Sequence, residues 1–311
     1  MRLARDLYAT PLTSIGATAS AVTIGNFDGL HRGHRALLDR VLTESDSICS
    51  TLVTFEPLPQ QFFAPGRASM RLQQTAGKLR MLRSLGVDLV WMLRFNAELA
   101  TLPADRFVRH VLVDSLRAVK VVVGEDFRYG HKRAGDADSL SRQGRELGFS
   151  VEVVPAIKHN GERISSSRIR DLLLAGRLQE AAVLLGRPYR MAGPVIKGRQ
   201  LGRSLGFPTA NIRLSRQPGP LHGIFAVRCR VSGIEGQLDG VASIGYRPTV
   251  CGEDLLLEVH LFDFDGDLYR RRMQVEFIAR LRDEEHFDSL EALIEQMQQD
   301  ANQARAILIK Q

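Results

Sequence analysis

Two histidines three residues apart, His31 and His34, follow a short apolar run in the segment VTIGNFDGLHRGH, residues 22–34. An imidazole N–H can donate to a phosphate oxygen and stabilise the negative charge that accumulates around a phosphorus under attack. If a helix begins near Gly33, both rings lie on one face of it, and the free N–H groups of its first turn also attract anions. The spacing therefore suggests a phosphate-binding site with the chemistry of nucleotidyl transfer.

Two other interpretations of this segment stay open on the residues alone. A zinc site takes three or four ligands, and the segment supplies two histidines with Asp28 as a possible third. A tight turn with surface histidines would have the same composition, because Gly25, Gly29 and Gly33 permit backbone conformations that other residues avoid. Spacing by itself does not separate these alternatives from phosphate binding.

Short β-branched runs alternate with amphipathic stretches up to about residue 155. The runs are AVTI at 21–24, STLVTF at 50–55, VDLVWML at 87–93, KVVV at 120–123 and VEVV at 151–154. Strands that alternate with helices predict a parallel sheet covered by helices. Ligands of such sheets bind outside the carboxyl ends of the strands, and the histidine segment begins at that end of the first run.

The sequence pattern changes after residue 193. Two short helices are predicted within 167–186, each ending at a glycine that suits a left-handed cap. The alternating segments that follow, separated by Gly, Pro and Asp, favour a small antiparallel barrel. A last helix is predicted with Asp288 as its N-cap. Its predicted apolar stripe consists of Leu290, Leu293, Ile294 and Met297.

The composition is typical of a globular protein with two domains. The chain has 311 residues, of which 44% are apolar, and no run reaches the roughly 18 apolar residues of a membrane helix. The first residues, MRLARDLYATPL, have no apolar signal core, so we expect a cytoplasmic protein that does not bind membranes. Three distant cysteines predict neither a disulfide framework nor a cysteine-rich zinc site.

The net charge of +7 indicates an anionic ligand. A nucleic-acid-binding protein is one alternative, and it should show a basic stripe with stacking aromatic residues. Here only 6% of the residues are aromatic and the basic residues are scattered, so we expect no nucleic-acid partner. Nucleotides are the anions that fit the histidine segment.

Two signatures of one superfamily occur in the expected order. GNFDGLHRGH resembles the GxFDGxHxGH signature of the cytidylyltransferase-like superfamily, whose members transfer a nucleoside monophosphate from a triphosphate to an acceptor. The second signature, ISSTxxR, is matched by ISSSRIR at 164–170, with Ser167 in place of threonine. Class I aminoacyl-tRNA synthetases also carry a HxGH element, but ISSSRIR and the motifs described next fit them poorly.

Further motifs narrow the resemblance to one family over residues 15–305. They are TFEPLPQQFF at 54–63, VGEDFRYGHKRAGD at 123–136, LGFPTANI at 205–212, GVASIGYRPTV at 240–250, LEVHLFDFDGDLY at 257–269 and LRDEEHF at 281–287. Together they resemble the prokaryotic bifunctional riboflavin kinase/FAD synthetases. The resemblance implies an α/β Rossmann-like nucleotidyltransferase domain at 1–186, followed by a small antiparallel β-barrel domain with a C-terminal helix at 187–311.

That family's two reactions are the expectation for this chain. The second domain would phosphorylate riboflavin with MgATP to give FMN and ADP, and the first would adenylylate FMN with another ATP to give FAD and pyrophosphate. The implied partners are therefore riboflavin, FMN and ATP, with Mg²⁺ as cofactor; oligomeric state is not indicated. The runner-up is a riboflavin kinase whose adenylyltransferase domain is impaired, because Leu58 replaces the histidine of the family's FDPHP motif.

The resemblance also implies residue roles in the first domain. The residues expected around ATP are Gly25, Asn26, Phe27, Asp28, His31, His34, Ser165, Ser166, Ser167, Arg168 and Arg170. Of these, His31 and His34 would contact the phosphates, and the serines could alternatively only cap a helix. The residues expected around the flavin are Phe63, Asp126 and Phe127. The family's LTxxxEK block is changed here to LQQTAGK at 72–78, which we interpret as a variable helix start.

For the second domain the implied roles centre on the PTAN motif. Thr209 and Asn211 would hold Mg²⁺ with the β- and γ-phosphates, and the loop that contains Lys197, Gly198 and Gly202 would cover ATP. Glu258 matches the family's general base. Strand alternation places Glu258 and His260 on the side opposite Leu257 and Val259, away from an apolar barrel interior. Arg282 and Phe287 are expected on the flavin side.

Overall fold

The computed structural model describes residues 1–44, 47–64, 70–198, 205–214, 219–249 and 252–310. The chain divides into two compact units: Met1–Ser69 with Thr75–Ser165, and Met70–Gln74 with Ser166–Gln311. The second unit thus includes the two helices just before residue 187, so the domain boundary at 186/187 stays a prediction. No helix in the described ranges has the length and apolar character that crossing a membrane requires.

The first unit is built from strands that alternate with helices, as the sequence predicts. Its strands are β1 (Arg2–Ala4), β2 (Ser20–Ile24), β3 (Cys49–Glu56), β4 (Leu89–Arg94), β5 (Ala118–Gly124), β6 (Arg128–Tyr129), β7 (Gly135–Asp136), β8 (Ser150–Val154), β9 (Lys158–His159) and β10 (Glu162–Arg163). Its α-helices are α1 (Arg32–Leu42), α2 (Pro59–Phe63), α3 (Thr75–Ser84), α4 (Ala97–Thr101), α5 (Ala104–Phe107) and α6 (Ala137–Leu147). Val108–Ser115 continues α5 as a π-helix, and Thr13–Ile15 and His131–Arg133 are short 3₁₀ turns.

Six of these strands form one parallel sheet in the order β1-β4-β3-β2-β5-β8. From β2 the chain moves outward through β3 and β4 on one side and through β5 and β8 on the other. The strand order therefore reverses between β2 and β5, and the crevice outside their carboxyl ends is the usual ligand site of such sheets. The histidine segment leaves β2 at this position. The parallel α/β prediction is confirmed; the short β1 is an addition to it.

Both faces of the sheet are covered, because its central strands are apolar on both sides. Leu52 packs on one face with Leu82 of α3, whereas its neighbour Val53 packs on the other with Leu112 and Trp91. Burial on both faces is typical of parallel sheets with helical crossovers.

The second unit contains α7 (Ser166–Leu174), α8 (Leu178–Leu185), β11 (Tyr189–Ile196), β12 (Ala210–Arg213), β13 (Gly223–Val231), β14 (Leu238–Thr249), β15 (Gly252–Leu261), β16 (Arg272–Arg282) and α9 (Leu290–Ile309). The six strands close into an antiparallel barrel in the order β11-β12-β15-β14-β13-β16. Gly176 and Gly186 follow α7 and α8 in the left-handed conformation, as predicted. The predicted barrel and final helix are confirmed.

Two details of the predicted last helix are wrong. Its N-cap is Ser289, whose hydroxyl accepts the N–H of Ala292, and not Asp288. Leu290 is 54% exposed, because the helix is buried mainly through its later turns at Ala301, Ala304 and Leu308. The i+3 glutamate pattern favours Asp288, with Glu291 three residues on, but serine is an equally good N-cap residue and here it caps the helix without that glutamate.

The core of the first unit provides a stability test. Leu112 is fully buried and Val119 is 40% exposed. We expect L112A to lower the free energy of unfolding by about 2–5 kcal/mol, since it leaves a cavity, and V119A by less than about 1 kcal/mol. Chemical unfolding followed by the fluorescence of Trp91, the chain's single tryptophan, measures both. Equal losses in the two variants would contradict this placement of the core.

Candidate active sites

The histidine segment ends in the N-terminus of α1, and His31 is its N-cap. Nδ1 of His31 accepts the N–H of His34 at 3.2 Å. Because Nδ1 is the acceptor, the neutral ring carries its proton on Nε2. The segment therefore combines a fixed imidazole N–H with the N–H groups at the start of a helix, both of which suit an anion.

The two imidazoles are stacked on each other. Their ring centroids lie 3.6 Å apart with an interplanar angle of 15°, and the ring of Phe27 lies 5.0 Å from that of His34. A Cβ at Gly33 would lie 3.2 Å from the His31 ring, so this glycine leaves room for the stack. The described residues contain no group of three or more His, Cys, Asp or Glu side chains arranged for a metal ion.

Burial lowers the pKa of His34 well below its ordinary value. Three neighbours that can carry positive charge act in the same direction: His31, Lys78 and Arg163. His34 is therefore a neutral imidazole at neutral pH. Its Nδ1 is buried and has no hydrogen-bond partner among the described residues, so the ring retains an unused polar atom.

The loop between β2 and α1 is held in an unusual conformation. Phe27 and Leu30 have φ of 47° and 44°, and Gly29 between them has φ of 85°. Non-glycine residues in this region cost of order 1–3 kcal/mol each and persist only where the surroundings enforce them. The fully buried Phe27 ring, 3.2 Å from the position of a Cβ at Gly25, is one such anchor. Asp28 is also buried within this loop.

The start of the second signature lies beside the histidine segment. The carbonyl oxygen of Ile164 lies 3.6 Å from the position of a Cβ at Gly33, so Ser165 follows directly beside the histidine segment. Ser166 and Ser167 form the first turn of α7, followed on the same helix by Arg168 and Arg170. Both the cap and the anion-binding interpretations use this helix start.

The predicted flavin residues follow β3 and β5, the two strands that flank β2 in the sheet. Phe63 ends α2 after β3, is 67% exposed, and its ring lies 5.3 Å from Phe62 and 5.7 Å from Phe95. Asp126 follows β5 and forms an ion pair with Arg163 at 2.7 Å. The third flavin candidate, Phe127, stacks on Tyr129 with ring centroids 5.4 Å apart. Leu58, which replaces the histidine of the family motif, is buried as the N-cap residue of α2.

In the second unit the barrel register brings two predicted residues together. Asn211 of β12 stands directly opposite Glu258 of β15, and Ser243 of β14 stands opposite Glu258 on its other side. Residues paired in this way share one face of the sheet. Leu257 and Val259 are buried whereas Glu258 is half-buried, so the predicted alternation holds.

The PTAN segment is fixed by backbone contacts. The Nδ1–H of His260 donates to the carbonyl of Pro208 at 3.0 Å, and half-buried Thr209 follows it. A Cβ at Gly198 would overlap the amide of Asn211, so the chain approaches this amide closely. Lys197 Nζ lies 5.7 Å above the Tyr269 ring. Gly202 falls outside the described residues.

Two family models match the chain: FAD synthetase over residues 15–168 and riboflavin kinase over residues 185–308. A bifunctional riboflavin kinase/FMN adenylyltransferase from Pseudomonas fluorescens is 44% identical over 99% of this chain and 98% of its own. The protein of the same description from Escherichia coli K12 is 42% identical over 98% and 97%, respectively. This chain belongs to the bifunctional riboflavin kinase/FMN adenylyltransferase family.

One solved structure covers the whole architecture of this family member. It is described as a macrolide-efflux protein from Streptococcus pneumoniae, and it matches with a TM-score of 0.82 and 29% identity over 98% of this chain and 99% of its own. The efflux function in that description belongs to the Streptococcus pneumoniae protein. The likeness shows that the two chains share the α/β unit and the barrel.

An ion pair fixes the end of β16, where the loop toward α9 begins. Arg282 donates from Nε and Nη2 to the buried carboxylate of Asp300 at 2.9 and 2.8 Å, and its guanidinium lies 5.6 Å from the Phe287 ring. Ser243 donates to Glu284 in the same loop at 3.1 Å. No spacing in the sequence predicts Ser243, Glu284 and Asp300 at this position, because strand pairing and helix packing bring them here.

The sequence pattern also passed over Lys78 in the FMN adenylyltransferase unit. This side chain is buried in α3 and donates to the carbonyl of Asn26 at 2.7 Å. A single lysine near a predicted helix start is normally a surface residue. The altered LQQTAGK block therefore concealed a contact with the histidine segment.

The neutral state of His34 makes stability depend on pH. Because its folded pKa lies below the unfolded value, the unfolded chain binds more protons in the window between the two. This contribution to stability is fully present above about pH 6.5 and is lost progressively as the pH falls from there through the lower folded pKa. When the pH is lowered from about 7.5 to 5.5, we expect the melting temperature of H34N to fall less than that of the native chain. H131N, at an exposed histidine, is the control; parallel curves for native and H34N would contradict the burial argument.

Proposed function

We propose that each unit catalyses one of the two reactions at the residues described above. The barrel phosphorylates riboflavin with ATP to give FMN and ADP, and the α/β unit adenylylates FMN with a second ATP to give FAD and pyrophosphate. The observation that carries the proposal is that the two family models match separate stretches of the chain, 15–168 and 185–308, and each stretch carries groups suited to phosphate chemistry. ATP as substrate of both reactions also supports a cytoplasmic location.

In adenylyl transfer, a phosphate oxygen of FMN attacks the α-phosphorus of ATP, and the bond to the β-phosphate oxygen breaks to release pyrophosphate. The Nε2–H of His31 and the His34 ring donate to the phosphate oxygens whose charge increases in the transition state. Burial that keeps His34 neutral supports this role, since a donor is then available without a buried cation. The N–H groups at the start of α1 add to the anion site.

The other residues of this site bind and orient the two substrates. Ser165, Ser166, Ser167, Arg168 and Arg170 supply hydroxyl, N–H and guanidinium donors to the triphosphate. The exposed Phe63 ring offers an aromatic surface to the isoalloxazine, with Asp126 and Phe127 at the end of β5. Leu58 is accommodated as a buried residue at the start of α2, and this supports a folded flavin side in place of an impaired one.

In the kinase reaction, Glu258 removes the proton of the ribityl 5′-hydroxyl while that oxygen attacks the γ-phosphorus, and ADP leaves. Its half-buried position on the wall of the barrel, opposite Asn211, supports this assignment. Lys197 and Gly198 lie next to this wall on the loop that would cover ATP, with Gly202 further along it. Arg282 and Phe287 contribute from the loop after β16, where Asp300 fixes the guanidinium.

Mg²⁺ fits the donor set at the PTAN segment. The hydroxyl of Thr209 and the amide oxygen of Asn211 are hard oxygen ligands, and magnesium typically takes few protein ligands together with phosphates and water. The close approach of Gly198 to the Asn211 amide leaves this buried side chain little freedom to turn away. Bound there with ATP, the ion would neutralise charge on the β- and γ-phosphates.

We expect H31A to slow FAD formation from FMN by about 10²–10³-fold, because an N–H donor to the phosphates is removed. Riboflavin phosphorylation by the same preparation is the internal control. Because His31 is also the N-cap of α1, H31N retains a cap and separates lost stability from lost catalysis. Unchanged FAD formation in H31A would remove its proposed role.

We expect E258Q to lower FMN formation from riboflavin by about 10²–10⁴-fold, since glutamine cannot accept the hydroxyl proton. Conversion of supplied FMN to FAD should stay at the native rate. E235Q, at an exposed glutamate in the turn after β13, is the matched control and should leave both rates unchanged. Chromatography of FMN and FAD measures both variants with riboflavin and with FMN as substrate. Loss of both reactions in E258Q would indicate misfolding instead.

A further inference from the structure

A lysine ammonium lies beneath the loop that carries the stacked histidines. Lys78 is only 3% exposed, and its Nζ donates to the main-chain oxygen of Asn26 at 2.7 Å and to Thr54 Oγ1 at 3.4 Å. Lysine normally keeps its ammonium in water, so burial is costly and requires well-placed acceptors. A buried lysine at this position therefore needs an explanation that α3 by itself does not supply.

The carbonyl of Asn26 is held from two directions. Besides Lys78, the hydroxyl of Thr54 donates to this oxygen at 3.2 Å. The preceding residue is tied as well, because the N–H of Gly25 donates to the carbonyl of Val53 at 3.1 Å. The Gly25–Asn26 dipeptide is thus fastened to β3 and α3 immediately before the left-handed residues of the loop.

Fixing this carbonyl also fixes the next N–H. In a trans peptide the C=O and the following N–H point in opposite directions, so an Asn26 carbonyl turned toward the core turns the Phe27 N–H away from it. The loop lies where the strand order reverses, and the outward side there is the crevice of the sheet. Lys78 acts on the histidines too, since its charge helps to lower the pKa of His34.

We propose that Lys78 is a positioning residue for FMN adenylylation. By holding the Asn26 carbonyl inward it presents the Phe27 N–H to the ATP triphosphate, and its charge lies behind the two imidazoles that bind the same anion. This inference rests on the proposed phosphate role of the histidine segment. A purely structural lysine would instead fill space under the loop, and the two roles make different predictions.

The decisive comparison is between K78M and L82A. Both substitutions affect the buried face of α3, but L82A removes only packing. For K78M we expect kcat/KM for ATP in FAD formation to fall about 10–100-fold, with a nearly unchanged KM for FMN and native riboflavin phosphorylation. L82A should lower the melting temperature. When each variant is assayed at the same interval below its own melting temperature, L82A should not show a comparable loss of rate. K78R should recover part of the rate.

Two further readouts distinguish positioning from stability. T54V keeps charge and size but removes one donor to the Asn26 carbonyl and one acceptor of the Lys78 ammonium, and we expect a smaller loss, about 2–10-fold, in FAD formation. Titration of the His34 ring by NMR should give a higher pKa in K78M than in the native chain, and a native-like value in K78R. If K78M does not fold, T54V and K78R decide the matter.

The inference is overturned if K78M forms FAD at a rate within about twofold of native, or if its loss only equals that of L82A. An unchanged His34 titration in a folded K78M variant overturns it as well. H31A in the same assay keeps the two proposals apart. A large loss in H31A with none in K78M removes only the role of Lys78, whereas no loss in H31A removes the phosphate role of the segment.

Discussion

Phosphate transfer places a strong demand on this chain: donors must face an anion whose charge increases during reaction, inside a fold that tolerates few buried cations. In the α/β unit, the neutral ring of His34 and the buried ammonium of Lys78 both lie at the loop that we propose faces this anion. Burial keeps His34 uncharged, and the cap bond from its main-chain N–H to Nδ1 of His31 leaves Nε2 of the neutral His31 ring as the N–H donor. The start of α1 adds main-chain N–H groups at the same place.

The barrel solves a related problem by different means. Its interior is packed with apolar side chains, so reactive groups must stand on its outer wall. Strand pairing places Asn211 and Glu258 side by side there, an amide oxygen beside a carboxylate. In the proposed kinase reaction the ribityl hydroxyl has to lose a proton, and the carboxylate of Glu258 accepts it. In the proposed assignment, the two reactions therefore use two different electrostatic environments.

Much of this architecture is readable from the amino-acid order. The β-branched runs and the turn signals after residue 193 predict the parallel sheet and the barrel, because period and spacing are local properties. Strand alternation alone predicts that Glu258 lies on one side of its strand and that Leu257 and Val259 lie on the other side. Local patterns do less well at helix ends: the i+3 glutamate favours Asp288 as the cap, whereas α9 is capped by Ser289.

The sequence by itself determined which groups can do chemistry here, since the histidine segment and the PTAN motif carry their donors at fixed spacing along one stretch of chain. Only the tertiary structure decided which groups surround them. Lys78 reaches Asn26 across 52 residues, and Arg282 reaches Asp300 across 18. Such contacts depend on which strands and helices pack together. Burial, which sets the charge state of His34, is likewise a property of the whole packed core and is not encoded in any single segment.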